Sequence, residues 1–116
     1  MLSNTKLLVK STSSFNNDLK MVYKQRKDIS KLINIVEKIV NNKELELKYK
    51  NHKLVDNKKY KNCYECHIEP DWLLVYQIVD DELILLLINT GSHSELFKWK
   101  NVQIFERFIY CINDIN

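Results

Sequence analysis

The alternation of apolar and polar positions divides the chain into a helical first half and a strand-like second half. Lys6-Leu7-Leu8-Val9-Lys10 is a short apolar run and predicts a first strand. Ser11-Thr12-Ser13-Ser14 then supplies capping hydroxyls for a helix whose apolar positions are Phe15, Leu19 and Val22. Lys20, Lys24 and Arg26 occupy its other faces, and the pattern pauses near Lys27-Asp28. Asp28 or Ser30 is placed to cap a second helix, striped by Ile29, Leu32, Ile33, Val36, Ile39 and Val40 and ended by Asn41-Asn42. Two adjacent helices joined by a short turn make a helical hairpin.

From Tyr60 the period becomes two. Tyr64, Cys66 and Ile68 fall on one face of a strand, and Cys63, Glu65 and His67 on the other. Pro70-Asp71 makes a turn, Leu73 to Val79 a second strand, and Asp80-Asp81 another turn. Leu83 to Ile88 is apolar at every position, which predicts a central strand covered on both faces, broken by Asn89-Thr90-Gly91-Ser92. The expected fold class is α+β: an N-terminal strand, a two-helix hairpin and an antiparallel three-strand meander, with the helices packed on the sheet. Trp99, Val102, Ile104, Phe105, Phe108, Ile109 and Cys111-Ile112 predict a third amphipathic helix that caps the sheet or forms an interface. The expected organisation is a domain over 1–97 and a helical extension over 98–116.

Composition narrows the classes. A chain of 116 residues with 45% apolar residues suits one domain with one core. One Gly and one Pro exclude collagen-like and Pro/Gly-rich disordered chains. No run approaches the roughly 18 apolar residues of a membrane span. The first residues, Met1-Leu2-Ser3-Asn4-Thr5-Lys6, lack a long apolar signal region, so a cytoplasmic protein with reduced thiols is expected.

The net charge of +3 is unevenly placed. Residues 1–62 carry 15 Lys/Arg against 6 Asp/Glu, and residues 63–116 carry 3 against 9. The basic half suits a polyanion, although Lys-rich helices also solvate themselves. Within 43–62, Lys48, Lys50, Lys53, Lys58, Lys59 and Lys61 interleave with Tyr49, His52 and Tyr60. This reads as an exposed basic connection, suited to phosphates and bases and equally to a solvated loop.

Two constellations carry chemistry. Cys63-Tyr64-Glu65-Cys66-His67 has the spacing of a c-type haem attachment site. Strand periodicity sets the two cysteines on opposite faces, which argues against haem and equally against zinc held by Cys63, Cys66, His67 and His52. Cys66 reads as a buried core thiol and Cys63 as an incidental surface thiol. No cofactor is expected, and no metal ligand is assigned.

The three histidines point elsewhere. Imidazole gives or takes a proton near neutral pH. Cleavage of RNA by internal attack needs a base for the 2′-hydroxyl proton, an acid for the leaving 5′-oxygen, and positive charge at the phosphorane. Each proton transfer is worth roughly 10²–10⁴-fold, and the 2′-hydroxyl confines the route to RNA. His52, His67 and His93, near a basic segment and a central sheet, therefore mark a candidate RNA-cutting site.

Asn51-His52-Lys53-Leu54, Glu65-Cys66-His67-Ile68, Pro70-Asp71-Trp72-Leu73-Leu74-Val75-Tyr76 and Thr90-Gly91-Ser92-His93-Ser94-Glu95-Leu96-Phe97 together resemble the YafQ branch of the RelE toxin superfamily. These are bacterial toxins of type II toxin–antitoxin pairs that cut mRNA on the ribosome. The resemblance covers about residues 5 to 97 and implies the RelE-like microbial ribonuclease fold. It implies His52, His67, Asp71 and His93 as catalytic residues. His93 would serve as proton donor or acceptor, with His67 and Asp71 as proton-transfer partners and His52 on phosphate or base. Lys50, Lys53, Lys58, Lys59, Lys61, Trp72 and Phe97 are the expected RNA-binding residues, with the two aromatics either stacking on bases or packing. Expected partners are a DinJ/RelB-like antitoxin, the ribosome and mRNA, with DNA reached only through the antitoxin and no membrane contact.

The chain departs from that family in two places. The family carries Arg where this chain has Asn89, and a neutral amide cannot neutralise the phosphorane. Loss of one such donor typically costs on the order of 10²–10³ in rate. Lys53 or another nearby Lys is a candidate for partial substitution, with Arg107 a remoter one. The other departure is the extension beyond Phe97. Both leave open an alternative: a catalytically attenuated relative that binds antitoxin, ribosome or RNA.

Overall fold

Two amphipathic helices and one sheet solve the same problem, since each has an apolar surface to remove from water. The computed structural model describes residues 6–97. Strand β1 (Leu8–Ser11) leads into α1 (Ser13–Lys24) and α2 (Ile29–Val40). After a 3₁₀ turn at Leu47–Tyr49 come β2 (His52–Lys53), β3 (Tyr64–Glu69), β4 (Trp72–Val79), β5 (Ile84–Gly91) and the short α3 (His93–Leu96). The sheet order is β1-β5-β4-β3-β2, parallel between β1 and β5 and antiparallel elsewhere. The α+β class and the β3-β4-β5 meander follow the apolar pattern. The expected helical extension over 98–116 lies outside the described residues.

The helix ends are fixed by side chains. Thr12 caps α1: its Oγ1 accepts from Phe15 N at 2.9 Å and donates to Ile88 O at 2.7 Å, so one hydroxyl ties the helix start to β5. Asp28 caps α2 by accepting from Ser30 N at 3.0 Å. Both helices cover one sheet face. Phe15, Val22, Leu32, Ile35 and Ile39 meet Cys66, Ile68, Trp72, Leu74, Tyr76, Leu85 and Leu87 there. Burying each large side chain is worth about 1.5–3 kcal/mol, so this layer holds most of the fold's cohesion.

One position of the α2 stripe is corrected: Ile35 is buried, whereas Ile33 is 52% exposed. At 100° per residue Ile35 lies about 60° from Leu32 and about 40° from Ile39, whereas Ile33 lies about 100° from Leu32 on the other side and has turned past the sheet. A second correction concerns coverage. The strand buried on both faces is the middle one, β4, where Trp72, Leu73, Leu74 and Val75 are all 0% exposed. In β5 buried Leu85 and Leu87 alternate with half-buried Ile84, Leu86 and Ile88. β5 also runs on through Asn89 and Thr90 to Gly91 instead of breaking there.

The second face is covered by a smaller cluster of Tyr60, Cys63, Leu73, Val75 and Leu96. Part of the 43–62 segment is thus folded down onto the sheet, with Tyr60 2% exposed, and is not a free connection. It also contains β2, whose two residues carry too little pattern to be read. Cys63 is 4% exposed, which corrects its reading as a surface thiol.

Candidate active site

The open part of that second face carries the titratable groups. Alternation along β3 aims Cys66 and Ile68 at the helices and Glu65 and His67 the other way. β2 pairs His52 with Glu65 across the ladder. The result is a carboxylate between two imidazoles: Glu65 Oε1 lies 3.4 Å from His52 Nε2 and 3.7 Å from His67 Nε2. The Glu65 side chain is 8% exposed and those of His52 and His67 are 51% and 23% exposed, so the carboxylate forms the floor and the rings the rim.

The outer nitrogens settle the tautomers. His52 Nδ1 donates to Lys50 O at 2.8 Å, and His67 Nδ1 donates to Pro70 O at 3.3 Å. A carbonyl oxygen accepts and never donates, so each Nδ1 carries a hydrogen. The Nε2 atoms are the ones left to exchange a proton on the site side. Lys50 holds its carbonyl in place from a left-handed backbone, φ 47°.

A second group gathers at α3. Ser92 caps this helix in a reciprocal box: its Oγ accepts from Glu95 N at 3.2 Å, and Glu95 Oε1 accepts from Ser92 N at 2.9 Å. Gly91 precedes it at φ +157°, and a Cβ there would meet Glu95 Oε1 at 2.9 Å. Asp71, in the turn between β3 and β4, accepts from His93 N at 3.1 Å. Phe97 stacks on the His93 ring with centroids 5.0 Å apart and meets Tyr60 edge-on at 5.4 Å. Lys59 Nζ and Tyr60 OH both donate to Leu96 O at 3.2 Å.

The two groups face each other across β4. His67 pairs with Leu73, and Leu73 with Gly91, two residues before His93. Two interstrand steps separate β3 from β5 by about 10 Å, with apolar Leu73 and Val75 as the floor between them. A basic groove flanks this: Lys53, Lys58 and Lys61 line one concavity of about 560 Å³.

The four expected catalytic residues thus fall in two adjoining sets, His52 with His67 and Asp71 with His93. Glu65 was given no role by the sequence, although its i, i+2 relation to His67 is the signal that places both on one face. Trp72 is corrected. It is 0% exposed, its Nε1 donates to Thr90 Oγ1 at 2.9 Å, and it packs among the helices where no base reaches it. Asn89 Nδ2 donates to Asp18 Oδ2 at 2.7 Å, and Thr90 N donates to the same oxygen at 3.1 Å, so Asn89 is taken up by α1. Cys63 and Cys66 belong to opposite clusters, as strand alternation requires, so the Cys-x-x-Cys-His spacing converges on nothing. Among the described residues no group of three or more His, Cys, Asp and Glu is placed to hold a metal ion. No helix among them is long and apolar enough to cross a membrane.

Known proteins are similar to this chain in sequence and fold. Residues 7–98 match the family described as bacterial toxin of type II toxin–antitoxin system, YafQ. The mRNA interferase toxin YafQ of Escherichia coli (strain B / BL21-DE3) is 33% identical over 90 residues, covering 77% of this chain and 94% of that protein. The crystal structure of a metal-bound toxin from Helicobacter pylori superposes with a TM-score of 0.73 at 41% identity, covering 78% of this chain and 99% of that one. YafQ in the E. coli DinJ–YafQ toxin–antitoxin complex gives 0.71 at 31% identity, with 79% and 98% covered. The chain belongs to the YafQ family of type II toxin–antitoxin system toxins.

Proposed function

We propose that this protein is an mRNA interferase that cuts RNA with the 2′-hydroxyl as nucleophile, on mRNA held by the ribosome. The observation that carries the reading is the Glu65 carboxylate set between the Nε2 atoms of His52 and His67, opposite His93. The Glu65–His67 pair takes the 2′-hydroxyl proton. The O2′–P bond forms as the P–O5′ bond breaks, leaving a 2′,3′-cyclic phosphate and a 5′-hydroxyl. His93 protonates the departing 5′-oxygen, and Phe97 holds its ring. His52 with Lys50, Lys53, Lys58, Lys59 and Lys61 offsets phosphate charge. Asp71 acts by holding the start of α3. The family and the DinJ–YafQ complex support a DinJ-like antitoxin as partner. In this reading DNA is contacted only through that antitoxin.

The test is induced expression in a bacterial host, with growth followed and mRNA 5′-ends mapped. Wild type arrests growth and gives cuts phased with the reading frame. Folded His67→Ala and His93→Ala each relieve the arrest. Continued arrest by both variants would remove these residues from the mechanism.

A second reading, an attenuated toxin acting as a binding module, is favoured by the Asn89–Asp18 hydrogen bond, which leaves position 89 without a charge for the phosphate. Arrest by Asn89→Arg where wild type is silent supports it; arrest by wild type sets it aside.

A further inference from the structure

A second concavity opens behind His67, between α2, the 3₁₀ turn and the end of β3. It measures about 480 Å³, in the range of roughly 300–1,000 Å³ common to ligand sites. Its lining has two chemistries. Lys31, Lys48 and Lys50 supply cations, while Tyr49 and Ile68 supply an apolar wall. Lys31 Nζ is held by Glu69 Oε2 at 2.8 Å, so one carboxylate offsets one of the three charges and two remain in excess. Lys48 Nζ sits 5.1 Å from the Tyr49 ring centroid, which keeps cation and aromatic side by side.

This cavity is built into the catalytic cluster. His67 is its common wall, and the carbonyl that orients His52 belongs to Lys50. A strand whose phosphate lies at His52 and His67 has its next nucleotide beside the cavity mouth. We infer that the cavity is a nucleotide subsite, taking the phosphate and base of the RNA residue that adjoins the cleaved bond. Cations with an apolar wall match the two halves of a nucleotide, whereas an acidic peptide calls for the cations alone. The inference rests on the ribonuclease reading above and adds where the strand runs.

The test is equilibrium binding of the purified full chain to uncleavable, fully 2′-O-methylated RNA oligonucleotides. Lengths run from two to five nucleotides, extended at either end and titrated at several salt concentrations. In wild type, one extension step raises affinity by about tenfold, and the salt slope steepens by about 0.7 at that step. In Lys31→Ala/Lys48→Ala the increment at that step falls to about twofold or less, and Lys48→Glu removes it. An increment of equal size in wild type and variants overturns the inference, whether or not the variants bind the antitoxin less well. Growth arrest with mapped mRNA cuts by wild type, and no affinity increment at any step, overturns the subsite alone. A wild type that shows no increment and also neither arrests growth nor cuts mRNA in cells overturns the ribonuclease reading with it.

Discussion

Asp71 accepts the backbone N–H of His93 at 3.1 Å, so a carboxylate in the β3–β4 turn fixes the first residue of α3. That contact asks for an acceptor and not for a titrating acid. Asp71→Asn keeps an acceptor and is expected to retain activity within about tenfold, since the charge on one hydrogen bond is worth about 1–1.5 kcal/mol. Asp71→Ala releases the helix start, and a displacement near 1 Å costs about 10²-fold. Both are measured as kcat on folded protein. A loss of 10²-fold or more in Asp71→Asn, matching Asp71→Ala, would instead make Asp71 a proton-transfer group.

Glu65 is the carboxylate that both rim imidazoles share. Glu65→Gln preserves size and removes the charge, so kcat is expected to fall by about 10²-fold or more, with circular dichroism unchanged. Full kcat in folded Glu65→Gln would reduce Glu65 to packing.

Trp72 separates packing from base contact. Trp72→Ala leaves a cavity among Thr90, β4 and the helices, and is expected to cost about 3–5 kcal/mol in urea unfolding. Trp72→Phe keeps most of the volume but leaves Thr90 without the indole donor, and is expected to cost about 1–3 kcal/mol. RNA affinity of the folded Phe variant should match wild type; a marked loss of affinity without a loss of stability would return Trp72 to the interface.

The two described thiols are expected to be inert. Burial, together with the Glu65 charge, pushes the Cys66 thiol up to about 12, and burial raises Cys63 as well. The thiolate is the reactive species, so at pH 8 only about one Cys66 in ten thousand is ionised. Peptide mapping after iodoacetamide should find Cys63 and Cys66 unmodified in native protein and modified in urea. In the unfolded chain both ionise near 9.0. The native state therefore holds more protons above that pH, and stability falls as pH rises through and beyond 9.

The elements were legible where their period was long enough to count. Phe15, Leu19 and Val22 announce α1, and the alternation from Cys63 to Ile68 announces β3 and its two faces. β2 was hidden because two residues have no period; His52 becomes a strand residue through pairing with Glu65. Ile33 misled because it is apolar yet points past the sheet. In the site, the histidines stood out by chemistry and by resemblance, while Glu65 looked like the polar partner in an ordinary half-exposed strand. Its burial comes with the pairing of β2 against β3, which sets His52 beside it, and no local spacing encodes that pairing. Trp72 misled in the opposite sense: its neighbour Asp71 is at the rim, but the pleat turns the indole inward.

The helix that carries His93 is four residues long and is moored at both ends by separate parts of the chain. Asp71 holds its start, and Lys59 and Tyr60 hold its last carbonyl. So short a helix has little hold of its own, which makes these moorings the site's weak points. Whatever loosens the 57–61 segment therefore reaches His93 through the short helix that carries it, without touching the imidazole.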